Sequence, residues 1–353
     1  MPFLKNTWYV AMWADDLEPA SVVQRQICGE LLALFRKADG SVAAVPDQCA
    51  HRFVPLSAGK VCGDHLECAY HGLRFDDAGQ CVHNPHGAGR ITPQLHLRGY
   101  PVVERHTLVW VWMGSPEAAD PATIPDFSHL DDGAPGTFSK RDWMDLEVDY
   151  ELMTDNLLDL SHINFLHDGL LGHEGMIDAE VEITEVDEPS GVTTLYVTRT
   201  SRDVAPPHMF DLMFRNDGEP VDTWAEMRWN APGYLRNHAG VTPPGSTRED
   251  GLIVIGSHLL TPIDERTVRY HICAVQLGNV PPVADDEVSE TLSRLRRFAF
   301  EEQDRPMVEA QQAAYERAGG KDSLKPVMLT IDQGPLRARR LLADLIENEA
   351  AVK

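Results

Sequence analysis

The sequence predicts an α+β protein in two parts, an N-terminal antiparallel β domain and a larger domain in which helices pack on one antiparallel sheet. Short β-type runs separated by turn residues fill the first 115 residues, and a stretch rich in Pro, Gly and Asp follows Trp112. Longer strand-like runs flanked by amphipathic helical segments make up the remainder. A length of 353 residues allows two or three compact units.

The first part is a series of short strands, which we read in WYVA, LLALFR, SVAAVPD, LRFDDAGQCV and LVWVWMG. The segment GSPEAADPATIPDFSHLDDGAPG that follows has many turn residues and little apolar periodicity. Domain boundaries usually fall in segments of this composition, so we place one near residue 115. The predicted domains are therefore residues 1–115 and 116–353.

The second part begins with a predicted helix, YELMTDNLLDLSHINFLH, whose apolar residues recur at helical spacing. Five predicted strands follow: AEVEITEV, VTTLYVTRT, DTWAEMRWN, GLIVIGSHLLTP and TVRYHICAVQL. The segment SETLSRLRRFAFEEQDRPMVEAQQAAYERAG predicts one long helix, and LRARRLLADLIENEA predicts a C-terminal one. No internal repeat is present, which excludes a solenoid.

Composition excludes several classes of partner. Hydrophobic residues form 43% and charged residues 24% of the chain, which are values typical of globular proteins. The net charge of −24, from 55 acidic and 31 basic residues, has the wrong sign for nucleic acid or an anionic membrane surface. The sequence contains no long apolar run, and its N-terminus becomes acidic too early for a signal peptide. We therefore expect a cytoplasmic protein with no nucleic-acid or membrane partner.

A metal site is indicated by four residues in two short motifs. Cys49 and His51 form C-x-H, and Cys68 and His71 form C-x-x-H. A [2Fe–2S] cluster that has two cysteines on one iron and two histidines on the other needs one sulfur and one nitrogen from each loop. A Cys2His2 zinc site is the alternative, but zinc sites more often pair cysteine with cysteine and histidine with histidine. The mixed pairs favour the cluster.

Cys62 and Cys81 lie within the same region, and we exclude both as ligands. A free cysteine commonly behaves as a small buried apolar residue unless its pKa is perturbed. Six cysteines with this uneven spacing are also unlike the framework of a disulfide-stapled secreted fold.

A second metal site is indicated by His162 and His167 within the first predicted helix of the second domain. Two histidines and a distant carboxylate could form a facial triad that leaves coordination positions open. On an ideal helix, positions 162 and 167 lie about 140° apart, whereas Asp159 and His162 lie about 60° apart. If both histidines bind one metal, the helix must end, unwind or contain a π-bulge between them.

These motifs resemble those of Rieske non-haem iron aromatic-ring oxygenases. CAHR and CAYHG match the cluster loops, and N-x-x-D-x-x-H-x-x-x-x-H falls on Asn156, Asp159, His162 and His167. From KNTWYVA to the C-terminal helix, including NPHGAGR and ADPATIPDF, the chain is similar to the O-demethylase branch of that family, which includes the vanillate and dicamba monooxygenases. The resemblance implies a Rieske domain followed by a helix-grip (START-like) catalytic domain.

The resemblance also implies two cofactors. The cysteines of a [2Fe–2S] cluster bind its inner iron and the histidines its outer iron, and a mononuclear Fe(II) is bound by His162, His167 and Asp304. Asp304 lies in EEQDRPMVEAQQ, which resembles the family's late acidic motif, and Pro306 should kink the helix and turn the aspartate inward. Glu301 and Glu302 remain alternative carboxylate ligands.

Further roles follow from the same resemblance. Asp159 would carry electrons between a mononuclear-iron histidine and His71 of a neighbouring subunit, which implies a homotrimer, and Asn156 would support the iron site. Asn230 and His258 match positions that point toward the ligand in dicamba-type relatives, although a turn cap and an inward strand residue explain them equally well. Electrons must come from a separate reductase or ferredoxin, because the chain has no dinucleotide fingerprint and no plant-type ferredoxin spacing.

The activity implied is that of a terminal oxygenase that uses O2 to hydroxylate a small aromatic substrate, with O-demethylation of a methoxy-aromatic acid favoured. N-dealkylation, methyl hydroxylation and ring dihydroxylation are alternatives within the same iron chemistry. A Rieske electron carrier would leave His162, His167 and Asp304 without a role, and a zinc-stabilised binding module would be colourless.

Overall fold

A computed structural model describes residues 3–277 and 285–351, and contacts within the chain divide it into two units. The first unit comprises Met1–Asp132, Thr261–Glu265 and Glu349–Lys353, and the second comprises Gly133–Leu260 and Arg266–Asn348. The predicted α+β class is confirmed, since the first unit is built on strands and the second on a sheet with helices. The boundary predicted near residue 115 stays a prediction. No described helix is long and apolar enough to cross a membrane.

The first unit contains three small sheets, in the orders β1-β10-β9, β2-β3-β4 and β5-β6-β7-β8. All of their pairings are antiparallel. The strands are β1 (Trp8–Trp13), β2 (Val22–Ile27), β3 (Glu30–Arg36), β4 (Val42–Pro46), β5 (Lys60–Cys62), β6 (His65–Glu67), β7 (Arg74–Phe75), β8 (Cys81–His83), β9 (Val102–Arg105) and β10 (Leu108–Trp112).

Two apolar clusters form the core of the first unit. One packs Tyr9, Leu32 and Val111 together, and the other is built around Phe35 and Phe75. The second cluster also contains Cys49 and Cys68, so the cysteines of the two predicted cluster loops are anchored in the core.

The second unit is built on one eight-stranded sheet in the order β11-β18-β17-β16-β15-β14-β13, with β12 also paired to β18. Its strands are β11 (Thr137–Phe138), β12 (Asp142–Leu146), β13 (Glu180–Asp187), β14 (Thr193–Val204), β15 (Val221–Asn230), β16 (Tyr234–Thr242), β17 (Leu252–Pro262) and β18 (Val268–Leu277). Its helices are α1 (Tyr150–Leu158), α2 (Ile163–Leu166), α3 (His208–Phe214), α4 (Asp285–Arg297), α5 (Arg305–Arg317) and α6 (Gln333–Ala351).

Both long helices predicted in the second unit are interrupted. The first ends at Leu158, and the chain continues through an extended Asp159, a 3₁₀ turn over Leu160–His162 and the one-turn helix α2. In the second, a π-helical segment, Phe298–Asp304, separates α4 from α5. The sequence also failed to predict α3 and β16, and the latter strand lacks the alternation of apolar and polar residues that marked its neighbours.

Helices α1 and α6 are joined by an ion pair. The Arg339 guanidinium donates through Nε to both carboxylate oxygens of Asp155, at 2.9 Å each, and Nη2 adds a further contact. The two side chains retain only a quarter to a third of their exposure. Breaking such a pair leaves one charge without compensation, which costs more than an exposed pair contributes.

We expect Arg339→Met to lower the free energy of unfolding by about 1–3 kcal/mol, because the Asp155 carboxylate is then partly buried without its cation. Urea unfolding followed by circular dichroism measures the change. Arg340→Met, an exposed position on the same helix, is the matched control and should change stability little. Equal stability of the two variants would contradict this role for the pair.

Candidate active site with two metal centres

The two predicted cluster loops have the same backbone turn. In the first, Cys49 N donates to Val54 O and Phe53 N donates to Cys49 O, both at 2.9 Å. In the second, Cys68 N donates to Leu73 O at 2.8 Å and Gly72 N donates to Cys68 O at 2.9 Å. The residue four positions after each cysteine has a positive φ, 60° at Phe53 and 70° at Gly72. Glycine adopts this conformation freely, whereas phenylalanine adopts it at a cost.

These turns place the four side chains as two pairs. The thiols of Cys49 and Cys68 are buried and within hydrogen-bonding reach of each other, and the rings of His51 and His71 have centroids 4.6 Å apart. Ligand atoms of a single tetrahedral zinc ion must all lie within roughly 4 Å of one another, given metal bonds of roughly 2.0–2.3 Å. Among the described residues no three of these four side chains meet a 4.8 Å limit, so the paired arrangement suits a cluster of two metals better.

Protonation of this centre is compatible with metal binding. Burial raises the pKa of the Cys49 thiol to about 11, so a bound metal would have to displace its proton. Partial burial and the neighbouring His51 ring lower the pKa of His71, which favours the neutral form that binds metal. The Nε2 atom of His86 contacts His71 O at 2.8 Å and so supports the second loop.

The two remaining cysteines of this region take no part in the pairs. Cys81 is buried in the same apolar cluster, and burial raises the pKa of its thiol. Cys62 lies in β5 with its Sγ 3.6 Å from a carboxylate oxygen of Glu67. The position of Cys81 agrees with its interpretation as a small buried residue, whereas Cys62 is only half-buried, and the exclusion of both as ligands stays a prediction.

The second candidate centre joins residues that are far apart in the sequence. His162, His167 and Asp304 each offer a ligand atom, and these atoms lie within 4.8 Å of one another. Nε2 of His162 is 3.5 Å from Oδ1 of Asp304, and Nε2 of His167 is 3.3 Å from Oδ2. Asp304 is 1% exposed, so a nearly buried carboxylate lies between two imidazoles. A metal that takes one oxygen and two nitrogens fits these residues.

The local backbone explains how a five-residue spacing brings both histidines to one point. Asp159 has an extended conformation and caps the next turn, because its carboxylate accepts from Ser161 N at 2.9 Å. His162 then ends the 3₁₀ turn, and His167 directly follows the one-turn helix α2. The helix predicted over this segment is interrupted, but the main break lies at Asp159, before His162, and between the two histidines the chain forms one helical turn that ends at Leu166.

The carboxylate ligand is positioned by the π-helical segment. Asp304 is its last residue, directly ahead of α5 with its N-terminal Pro306. Glu301 in the same segment is 40% exposed and pairs with Arg297, and Glu302 is exposed. The geometry thus brings Asp304, and neither glutamate, to the two histidines. A π-helical turn is often found at functional sites.

Both histidines have fixed orientations. Nδ1 of His162 donates to the Asp159 backbone oxygen at 2.5 Å, and Nδ1 of His167 donates to Oε1 of Gln303 at 2.8 Å. Each Nε2 is then the atom free to bind a metal, since the proton lies on Nδ1. Asn156 donates from Nδ2 to Oδ1 of Asp304 at 3.1 Å, which places this predicted residue beside the carboxylate.

The two histidines differ in basicity. Burial lowers the pKa of His162, although the Asp304 carboxylate acts in the opposite direction. Burial also acts to lower the pKa of His167, but the hydrogen bond and charge of Asp304 outweigh it and raise the pKa. In the metal-free site His167 is therefore the better proton acceptor.

An apolar cavity of about 150 Å³ adjoins this centre. Its walls include Leu160 and Ile163, which flank His162, and Phe300, which lies in the π-helical segment. A cavity of roughly this volume accommodates benzene in another protein, so a single aromatic ring fits the space. Polar groups on the wall are few, as in most small-molecule sites.

Only one of the two predicted substrate contacts lines this cavity. His258 lines it, whereas Asn230 does not, because Nδ2 of Asn230 donates to Thr194 Oγ1 at 2.7 Å elsewhere on the sheet. Asn237 on β16 lines the cavity instead, and sequence analysis missed both this residue and its strand. No signal in the sequence alone distinguished the two asparagines.

His258 is neutral and is oriented by one hydrogen bond. Burial lowers its pKa to about 3 and raises that of Tyr270. Nδ1 of His258 is hydrogen-bonded to the neutral Tyr270 hydroxyl. His258 is therefore a neutral polar group on the cavity wall.

Two family models match the chain. The Rieske [2Fe-2S] domain matches residues 7–101, and the vanillate O-demethylase oxygenase C-terminal domain matches residues 146–348. The oxygenase component of chloroacetanilide N-alkylformylase from Rhizorhabdus wittichii is 36% identical over 99% of this chain and 98% of that protein. The oxygenase component of dicamba O-demethylase from Stenotrophomonas maltophilia is 36% identical over 99% of this chain and all of that protein.

Solved structures agree with these matches. Dicamba monooxygenase bound to 3,6-dichlorosalicylic acid superposes with a TM-score of 0.90 at 34% identity, over 99% of this chain and all of that chain. Dicamba monooxygenase with non-haem iron and dicamba gives a TM-score of 0.81 at 33% identity over the whole of both chains.

We expect Gln303→Leu to weaken metal binding at the second centre about 10–100-fold, because His167 loses the acceptor that fixes its tautomer. Gln303→Glu should retain affinity, since a carboxylate accepts the same bond. Fe(II) titration under anaerobic conditions measures both constants, with the exposed position Glu302→Gln as control. Parent-like affinity in Gln303→Leu would contradict this role.

Proposed function

The chain belongs to the family of Rieske oxygenase components that includes the vanillate and dicamba O-demethylases, and we propose O-demethylation of a small methoxy-aromatic acid as its reaction. The observation that supports an oxygenase over an electron carrier is the buried Asp304 carboxylate between two metal-oriented imidazoles, beside an apolar cavity. N-dealkylation is the second candidate, because a relative of equal identity is an N-alkylformylase component. Methyl hydroxylation and ring dihydroxylation use the same site chemistry.

Two cofactors are part of the proposal. Cys49 and Cys68 hold the inner iron of a [2Fe–2S] cluster and His51 and His71 the outer iron, which is consistent with buried cysteines and more exposed histidines. His162, His167 and Asp304 hold a mononuclear Fe(II). When bound, the cluster supplies electrons one at a time and the mononuclear iron activates oxygen.

The balanced reaction consumes a methoxy-arene, O2, two electrons and two protons, and yields a phenol, formaldehyde and water. A separate reductase or ferredoxin supplies the electrons. Residues of the chain position the ring within the apolar cavity, exclude water from it, and offer the neutral His258 imidazole as a hydrogen-bonding group for a polar substituent. Asn237, rather than Asn230, is the second polar contact that we propose.

The proposed location is the cytoplasm, where reduced nicotinamide cofactors are available to a reductase. The proposed context is the breakdown of aromatic compounds.

Electrons reach the second centre from another copy of the chain in this proposal. Asp159 bridges His162 and His71 of the partner subunit, and the assembly is a homotrimer. Support comes from a groove beside Asp159 that is bordered by exposed apolar side chains, Phe165, Met307, Val327, Met328 and Leu329. Exposed apolar patches of this kind mark protein interfaces. The first unit likewise exposes Phe53 and Tyr70 beside its predicted cluster histidines.

The activity test is a panel of methoxy-aromatic acids, incubated with O2 and chemically reduced protein, with formaldehyde and phenol as readouts. The parent chain should form the two products in equal amounts. Asp304→Ala should lose the mononuclear iron and form no product, because two imidazoles alone hold the metal poorly. Its cluster spectrum should match that of the parent. Retention of mononuclear iron and full oxidation in Asp304→Ala would exclude the proposed centre, and a cis-dihydrodiol product would indicate ring dihydroxylation.

The assembly test uses Phe53→Gly. Glycine adopts the positive φ without the cost of about 1–2 kcal/mol that a side chain incurs, so the substitution should not destabilise the turn itself. Loss of an exposed ring from the interface should weaken the trimer, which sedimentation equilibrium measures. Leu31→Ser removes another exposed apolar side chain of the same unit and serves as control. A parent-like association constant in Phe53→Gly would contradict the interface.

A further inference from the structure

The two carboxylate oxygens of Asp159 have different surroundings. Oδ1 accepts from Ser161 N at 2.9 Å and from Ser161 Oγ at 2.5 Å. Oδ2 makes no hydrogen bond within the described residues, and Asp159 lines the groove on the second unit. One oxygen is thus held by the protein and the other remains available to a group that enters the groove.

A buried arginine adds to the contacts of the held oxygen. Nη2 of Arg199 lies 3.5 Å from Oδ1 of Asp159, and the Arg199 side chain is 6% exposed. Arg199 lies on β14, where Leu195, Val197 and Ser201 alternate with it on the buried face of the strand. Its neighbours on that face are two apolar residues and a small hydroxyl.

This placement is unfavourable for stability alone. A buried guanidinium costs several kcal/mol of desolvation, which an ion pair offsets only with good geometry and satisfied donors. Within the described residues Arg199 pairs with one carboxylate, Asp159, and the distance from Nη2 to Oδ1 is a long 3.5 Å. Nε of Arg199 is buried and has no hydrogen-bond partner there. An apolar residue at position 199 would pack on this face at lower cost. Retention of arginine therefore points to a role at Asp159.

We propose that Arg199 is a positioning residue for electron transfer: it holds Oδ1 of Asp159 from within the second unit, so that Oδ2 faces His71 of the partner subunit. This inference rests on the proposed function of Asp159 as the bridge. With both cofactors bound, each transfer would move one electron, supplied by the reductase, from the cluster held by Cys49, His51, Cys68 and His71 of one copy to the iron held by His162, His167 and Asp304 of the next copy. Arg199 carries no electron and contacts neither iron ligand set; it limits the rotation of the Asp159 side chain.

The first test is the reduction potential of the cluster in the intact holoenzyme, which needs no substrate. Asp159→Asn should shift this potential, because His71 loses a charged hydrogen-bond partner. Arg199→Met should shift it in the same direction, since a rotated carboxylate no longer faces His71. Arg202→Met, an exposed position three residues along the same strand, should match the parent.

The second test is the rate of cluster oxidation after chemically reduced protein is mixed with O2 and 2-methoxybenzoic acid, followed by visible absorbance. Arg199→Met should slow this rate about 10-fold or more with unchanged iron and sulfide content, and Arg199→Lys should restore part of it. In an Asp159→Asn background, Arg199→Met should have no further effect, because both changes remove the same bridge.

The results distinguish an error in the proposed Asp159 bridge from an error in the proposed role of Arg199. If Asp159→Asn leaves both potential and rate at parent values, the bridge itself is wrong, and this inference is overturned with it. If Asp159→Asn changes them and Arg199→Met does not, the bridge stands and the role of Arg199 is wrong. If Arg199→Met fails to fold, Arg199→Lys decides. A cluster oxidation rate below that of the parent, with a parent-like melting curve, supports the role of Arg199, and a parent-like potential and rate overturn it.

Discussion

The second unit depends on one buried carboxylate. Asp304 is almost inaccessible to solvent, and its neighbours are two imidazoles and the amide of Asn156. An isolated carboxylate in such surroundings would be strongly destabilising, so the site requires a proton or a cation to balance it. The hydrogen bond and charge of Asp304 raise the pKa of His167, which favours a positive charge on the imidazole beside the carboxylate. A divalent metal would satisfy the requirement more fully, because His162, His167 and Asp304 could all bind it at once.

The backbone irregularities around Asp304 have a common cause. Regular helices would direct His162 and His167 to different faces, and would give Asp304 the exposure of Glu301 or Glu302. The extended Asp159 redirects the segment that carries both histidines, and the π-helical segment places Asp304 against them. Each of these irregular segments loses regular backbone hydrogen bonds. Each occurs where a regular helix would keep the three side chains apart.

Sequence patterns predicted the sites formed by residues close together in the chain. They missed contacts that depend on how strands pair in the sheet. The cluster motifs could be read directly, because each places its cysteine and histidine within one turn that two backbone hydrogen bonds define. His162 and His167 could be predicted as a metal site from their own segment, but the carboxylate ligand Asp304 could be identified only with the family pattern, since nothing near residue 304 indicates proximity to residue 162. Asn237 was missed because Arg236, Asn237 and His238 break the alternation that identifies a strand, and so β16 itself was not predicted. Asn230 lies opposite Tyr234 in the ladder while Asn237 lies opposite Met227, a register that spacing alone does not reveal.

The two cluster loops have the same backbone turn but different residues, Phe53 and Gly72, at its positive-φ position. Both turns need a positive φ four residues after the cysteine, and Gly72 meets this need without a side chain. Phe53 meets it at a conformational cost and leaves its ring 69% exposed, which benefits neither the turn nor the core. Selection for the stability of one chain would favour glycine at both positions. A strained, exposed ring in only one of two equivalent turns therefore supports the proposed contact with another chain. Arg199, which is buried beside Asp159 at a cost, supports the proposed bridge in the same way. In both cases a residue that is unfavourable in the isolated chain lies next to a group that the proposed electron path uses.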